Sequence, residues 1–251
     1  DMKQSAAEER IHVEYCSVSK LGQREINEDC VGVAYSSRYT VFAIADGLGG
    51  DGKGDIASKI AVREFTEDLE DNSTNTLSQK MELAFQNAQQ AILKEQERQN
   101  AGSQMKTTLA AVIMDEQSAL CGHIGDTRIY VFHRNKIKRQ TNDHSVPQML
   151  VLSREIKEKE IRNHPDRNKL LRVLGVRGPV KYDVFEVETK KIQSILLCSD
   201  GFWEYILEKE MCALLKKSHS AQEWLNQMCD IVEQRGAGND MDNYSAIAVW
   251  V

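Results

Sequence analysis

Apolar runs of strand length, several joined by very short turn-forming connections, constrain this chain more than any other feature. Residues 11–18, 30–35, 40–45, 107–114, 119–124, 128–133, 182–187, 194–198 and 244–251 are rich in β-branched and aromatic side chains, the composition of pleated, half-buried surfaces. Ser36-Ser37, Asp115-Glu116 and Gly125-Asp126 punctuate consecutive runs. Connections that short favour antiparallel hairpins over parallel crossovers. Two long helical patterns lie between the strands. One spans about 53–69, with Ala57, Ile60, Ala61, Phe65 and Leu69 on one side. The other spans about 77–97, with Leu77, Met81, Phe85, Ala88 and Ile92 recurring every three or four residues. A last helix is expected from near Ser220, where Ser220 and Glu223 form a capping-box pattern. Each helix hides one stripe and each sheet one face, so we expect an α+β fold whose helices cover sheets that also pack together.

The charge balance excludes one class of partner. The net charge is −6 and the pI about 5.6, whereas non-specific nucleic-acid binding needs a basic surface. An acidic chain suits hard divalent cations, which take carboxylate oxygens. The six cysteines form no C-x-x-C pair; they read as reduced thiols packed as small hydrophobes in a reducing compartment. No apolar run approaches the roughly 20 residues of a membrane helix, and no signal-peptide pattern opens the chain.

The aspartates fall in a pattern. Asp46 ends the run Val41-Phe42-Ala43-Ile44-Ala45 and is followed by Gly47-Leu48-Gly49-Gly50. Asp200 ends Ile195-Leu196-Leu197-Cys198-Ser199 and is followed by Gly201. Asp126 separates two strands, and Asp242-Asn243 precedes the last one. An isolated Asp-Gly is ordinarily a turn. Four strand-end carboxylates are another matter, because a carboxylate beside an apolar run is costly unless solvated or bound to a cation. Converging carboxylates repel, and a divalent cation removes that penalty. A pair of cations bridged by one carboxylate hydrolyses phosphate esters. In 22–29, Arg24 stands near Glu28 and Asp29 just before a strand; a guanidinium grips phosphate with two parallel hydrogen bonds. The same segment also reads as a solvated charged loop.

Taken in order, these residues resemble the type 2C metal-dependent serine/threonine protein phosphatases, in particular the compact bacterial forms. The set runs Arg24-x-x-Asn27-Glu28-Asp29, Ala45-Asp46-Gly47-Leu48-Gly49-Gly50, Thr107-Thr108-Leu109, Gly125-Asp126-Thr127-Arg128, Asn142-Asp143-His144-Ser145, Leu171-Arg172-Val173-Leu174-Gly175, Cys198-Ser199-Asp200-Gly201 and Asp242-Asn243. The resemblance implies a four-layer α-β-β-α sandwich, two mainly antiparallel sheets flanked by helix pairs. It places one catalytic domain over 11–251, behind a flexible segment at 1–10, with a mobile flap over about 145–170. It implies Asp46 as the carboxylate bridging two Mn²⁺ or Mg²⁺ ions, Gly47 as a carbonyl facing one metal, and Asp200 and Asp242 as ligands of the other. Asp126 matches a weaker third-metal ligand, Glu28 and Asp29 order water on the metals, and Arg24 binds the substrate phosphate. The partners implied are phosphoproteins, a serine/threonine kinase or its targets among them, for a cytoplasmic monomer.

Two positions depart from the family pattern. Many members carry His where this chain has Leu48, so no histidine is assigned as general acid. Ser245 stands where Thr is usual and keeps the hydroxyl. His12, His123, His133, His144, His164 and His219 show no ligand spacing, and His144 reads as local turn structure. The reaction expected is hydrolysis of phosphoserine and phosphothreonine by direct attack of a metal-activated water. A catalytically silent binding module and another two-metal phosphoester hydrolase are the competing readings; retention of Asp46, Gly47, Asp200 and Asp242 counts against the first.

Overall fold

The computed structural model describes residues 13–49, 53–67 and 75–251. The segment at 1–10 and Leu69 lie outside the described residues. Along the chain run β1 (Glu14–Lys20), β2 (Asp29–Tyr35), β3 (Thr40–Leu48), α1 (Lys53–Thr66), α2 (Leu77–Arg98), β4 (Lys106–Thr107), β5 (Leu109–Met114), β6 (Ser118–Ile124), β7 (Arg128–His133) and β8 (Lys136–Gln140). There follow α3 (Val146–Leu152), β9 (Asp183–Glu188), β10 (Ser194–Cys198), α4 (Asp200–Trp203), α5 (Glu208–Lys217), α6 (Ala221–Gly236) and β11 (Tyr244–Trp250). One sheet has the order β1-β11-β10-β7-β8 and the other β2-β3-β5-β6-β9, with β4 on β3. The pairings are antiparallel, as the short connections require.

Side chains alternate across each strand, and the alternation sorts the core into three parts. Phe42 and Ile44 of β3 meet Ile129, Val131, Ile195, Leu197, Ile247 and Val249 between the sheets. Their neighbours Val41, Ala43 and Ala45 face outward, against Ala57 and Phe65 of α1 and Met81, Phe85 and Ile92 of α2. On the opposite flank Phe132, Leu196 and Ala248 pack under Met211 and Leu215 of α5 and Trp224 and Met228 of α6. This is the expected four-layer α-β-β-α arrangement.

The differences from the sequence reading have local causes. The run 107–114 is interrupted at Thr108, so it forms β4 and β5. Strand β8 was not anticipated because Lys136-Ile137-Lys138-Arg139-Gln140 is charged; it sits on the sheet edge, pairing with β7 alone, where charge discourages further pairing. Helix α5 was not expected because it is short, with its apolar residues in one run, Met211 to Leu215, between charged ends, so no helical period shows. All six cysteines are free thiols. Among the described residues no helix is long and apolar enough to cross a membrane.

Candidate active site

The site is assembled where strand ends of both sheets meet. The β6–β7 connection, Gly125 to Thr127, joins the two sheets there, and the β1–β2 loop joins them again. Asp29 stands opposite Asp46 in the β2–β3 register. The main chain of Asp46 is clamped: its N–H donates to Thr108 Oγ1 (3.0 Å), and its carbonyl accepts from Thr107 Oγ1 (2.9 Å) and the Thr108 N–H (2.9 Å). Strand β3 therefore continues through Asp46 and Gly47 rather than ending at Ala45. Gly47 is required by close approach: a Cβ there would lie 2.1 Å from the Gly54 carbonyl oxygen.

Asp200 opens the short α4, with Ser199 as its N-terminal cap residue. The Ser199 hydroxyl donates to Asp29 Oδ2 (2.8 Å) and accepts from the Ser245 N–H (3.0 Å), tying the two sheets together through Asp29. Asn243 fixes the neighbouring loops. Its Oδ1 accepts from the Glu28 N–H (2.8 Å), and its Nδ2 donates to the carbonyls of Leu21 (2.8 Å) and Ile26 (3.0 Å). Glu28 Oε1 accepts from the Gly54 N–H (3.2 Å). Asp126 is held by its carbonyl, which accepts from Trp203 Nε1 (2.9 Å).

These carboxylates share one electrostatic neighbourhood. Burial, then repulsion from Asp200, Asp29, Asp126 and Asp242, holds the Asp46 carboxyl well above the usual carboxylate range. Burial, then repulsion from Asp126, Glu204, Asp242 and Asp29, does the same to Asp200. Burial pushes Asp29 up to about 6 and, with repulsion from Asp143, Asp126 up to about 7. Burial also raises Glu28. Two oxygens, Asp29 Oδ1 and Asp200 Oδ1, are buried without a hydrogen-bond partner. A buried unsatisfied carboxylate oxygen is costly. An all-oxygen donor set aimed into such a place fits a hard divalent cation.

Arg24 and Asp242 do not stand as expected. The Arg24 guanidinium lies against Asp242 (Nε to Oδ1 3.0 Å, Nη2 to Oδ2 3.3 Å) and Asp240 (Nη1 to Oδ1 3.0 Å, to Oδ2 3.1 Å). Among the described residues no group of three or more His, Cys, Asp or Glu side chains stands arranged to hold a metal ion, and the Asp242 carboxylate is engaged by Arg24. His144 agrees with the turn reading. Its Nδ1 accepts from the Gly125 N–H (3.1 Å) and its ring stacks on His123 at 4.5 Å. Leu48 pairs with Lys106 across β3 and β4. The segment 145–170 holds α3, and Ser145 bridges to Leu170 at its base. Arg162 anchors it, donating to the carbonyls of Trp203 (3.1 Å) and Ile206 (3.0 Å) and to Glu208 (2.8 Å). Sequence reasoning missed the Ser199–Asp29 contact and Asp240. The first joins positions 170 residues apart; the second carried no motif.

Known proteins match this arrangement. The protein phosphatase 2C family profile matches residues 18–244. The serine/threonine phosphatase stp of Listeria monocytogenes serotype 4b (strain F2365) is 34% identical over 205 residues, covering 80% of this chain and 81% of that protein. The crystal structure of the serine/threonine phosphatase Stp1 from Staphylococcus aureus superposes with a TM-score of 0.87 at 25% identity, covering 100% of this chain and 99% of the other. The catalytic domain of the serine threonine protein phosphatase PstP, in complex with two manganese ions, shares the fold with a TM-score of 0.82 at 24% identity, covering 95% and 97%. The chain belongs to the protein phosphatase 2C family, the metal-dependent protein serine/threonine phosphatases.

Proposed function

We propose that this phosphatase hydrolyses phosphoserine and phosphothreonine in proteins by direct attack of water, without a phosphoenzyme, at the cluster built around Asp46. The observation that carries this reading is the gathering of Asp29, Asp46, Asp126 and Asp200, each raised by burial and by neighbouring acids, with two orphaned buried oxygens among them. Asp46, the Gly47 carbonyl, Asp200 and Asp242 would hold two ions, Mn²⁺ or Mg²⁺, and Asp126 with Asp200 a third. When bound, the ions supply positive charge and lower the pKa of water.

The chain's own residues divide the remaining work. Glu28 and Asp29 accept hydrogen bonds from water and orient it; Asp29 is itself oriented by Ser199. Arg24 offers charge-assisted donors to a phosphate carrying about −1.5 to −2 charges. For Asp242 to turn toward a cation, Arg24 must release it, so phosphate and Asp242 exchange for the same guanidinium. Leu48 brings no proton to the leaving alkoxide, so the leaving group takes its proton from solvent or departs unassisted. We read 11–251 as one catalytic domain, 145–170 as a flap beside the site, and the protein as a cytoplasmic monomer in bacterial signalling. It would act on a serine/threonine kinase or that kinase's targets. Dephosphorylation of a phosphopeptide with Mn²⁺, against an EDTA control, is the test. Equal turnover with and without chelator excludes the metal assignment.

A further inference from the structure

A cavity of about 410 Å³ lies beside the strand pair that carries Gly47 and Leu48. One wall is the end of α2, with Gln96 and Glu97; another is Lys106 of β4; the third is the stretch Gly175 to Arg177. The walls are braced. Leu174 and Thr107 exchange backbone hydrogen bonds (2.9 and 3.2 Å), pinning the third wall to β4. Buried Gln96 donates from Nε2 to the carbonyls of Met105 (2.7 Å) and Gly175 (2.8 Å). Gln89 accepts from the Gly175 N–H (2.8 Å).

The charges in this cavity are unequal. Arg177 is paired with Glu97 at 3.1 Å. Lys106 makes no ion pair or side-chain hydrogen bond among the described residues, although it is only partly exposed. It stands directly opposite Leu48, and Thr107 opposite Gly47. Thr107 turns inward onto the Asp46 carbonyl, so Lys106 projects from the other face of β4, the face it shares with Leu48. Leu48 is two residues, roughly 7 Å, beyond Asp46, and paired strands lie about 5 Å apart. A cation held this close to a strongly acidic centre on a chain of net charge −6 creates a local reversal of sign.

We propose that this cavity is a substrate subsite in which Lys106 receives an anionic side chain, a carboxylate or a second phosphoryl group, flanking the phosphorylated residue. An extended peptide rises about 3.4 Å per residue, so a side chain roughly two to four positions from the phosphoresidue falls over the cavity. The acidic centre repels such a peptide, and Lys106 offsets that repulsion locally. The proposal rests on Asp46 and Gly47 marking the reacting centre.

The test uses phosphothreonine peptides carrying Glu, phosphoserine, Ala or Lys at each flanking position from −4 to +4, assayed with Mn²⁺. The readout is the ratio of kcat/KM for each anionic peptide to that for its Ala counterpart, which cancels any general loss of activity. Wild type is expected to prefer Glu at one or two positions. Lys106→Ala should bring that ratio down by about threefold, and Lys106→Glu should invert it so that Lys is preferred at the same position. A larger ratio for phosphoserine than for Glu identifies a second phosphoryl group as the ligand; equal ratios identify any carboxylate. Ratios unchanged in both variants overturn the subsite. Asp46→Asn is run in parallel. Loss of its hydrolysis with unchanged Lys106 ratios rejects the subsite alone, and retained hydrolysis rejects the underlying centre and the subsite with it.

Discussion

Arg24 lies side-on against Asp242, Nε on Oδ1 at 3.0 Å and Nη2 on Oδ2 at 3.3 Å, across 218 positions of sequence. Asp240 receives the remaining Nη1, so one guanidinium holds two carboxylates of the same loop. A phosphate entering the site competes for those donors. Hydrogen bonds involving a charged group are worth about 1.5–3 kcal/mol. Arg24→Ala should therefore raise KM for a phosphopeptide by about tenfold, with a smaller change in kcat. Arg24→Lys should recover little, because an ammonium lacks the paired donors. Steady-state kinetics on both variants decide the matter, and an unchanged KM removes Arg24 from the site.

Asp200→Asn is expected to abolish Mn²⁺-dependent turnover while leaving the far-UV circular dichroism unchanged. It should also raise the melting temperature of the metal-stripped protein. The Asp200 carboxyl sits buried among Asp126, Glu204, Asp242 and Asp29, and removing its charge relieves repulsion that nothing else offsets. A variant with near-wild-type turnover, or one less stable than wild type after stripping, contradicts the assignment.

The raised carboxylates set a pH window. Asp29 titrates near 6 and Asp126 near 7 in the folded protein, above the ordinary value near 4. Between about 4 and 7 the folded state binds more protons than the unfolded chain, so this contribution to stability is full at low pH and is lost as pH rises through 6–7. A cation needs the deprotonated form. The rise in melting temperature on adding Mn²⁺ should thus be small at pH 5.5 and large at pH 7.5. Thermal melts with and without Mn²⁺ across that range check it; a shift independent of pH counts against these groups as the titrating set.

Two positions beyond Asp126, Arg128 forms a buried pair with Asp143, Nη2 to Oδ2 at 2.7 Å, with the guanidinium stacked 3.5 Å from the Trp203 ring. Arg128→Met strands the Asp143 charge, and breaking a buried pair from one side costs about 3–5 kcal/mol. The melting temperature should fall by about 10 °C. Replacing Asp143 by Leu in the same chain should recover most of that loss. Differential scanning calorimetry on the single and double variants measures it.

Much of this fold is legible in the amino-acid sequence. The run Val41-Phe42-Ala43-Ile44-Ala45 reads as a buried strand because apolar, β-branched and aromatic residues between turn signals favour extended chain; packing then decided that Val41, Ala43 and Ala45 face the helices and Phe42 and Ile44 the other sheet. The helical stripe through Met81, Phe85, Ala88 and Ile92 was legible too, as was the identity of Asp46, Asp126, Asp200 and Asp242 as marked residues. Strand β8 and helix α5 were not, because a charged edge strand and a short amphipathic helix draw their stability from packing rather than from their own pattern.

What only the tertiary structure decided is who touches whom. Ser199 reaches Asp29, Asn243 ties Glu28 to the last strand, Arg24 takes Asp242 and Asp240, and Lys106 is left facing a cavity beside Leu48. Local sequence encodes backbone preference and polarity, which act over a few residues. Contacts across 170 to 218 positions depend on how two sheets close on a shared core, and that closure brings the charges of distant loops within reach of one another.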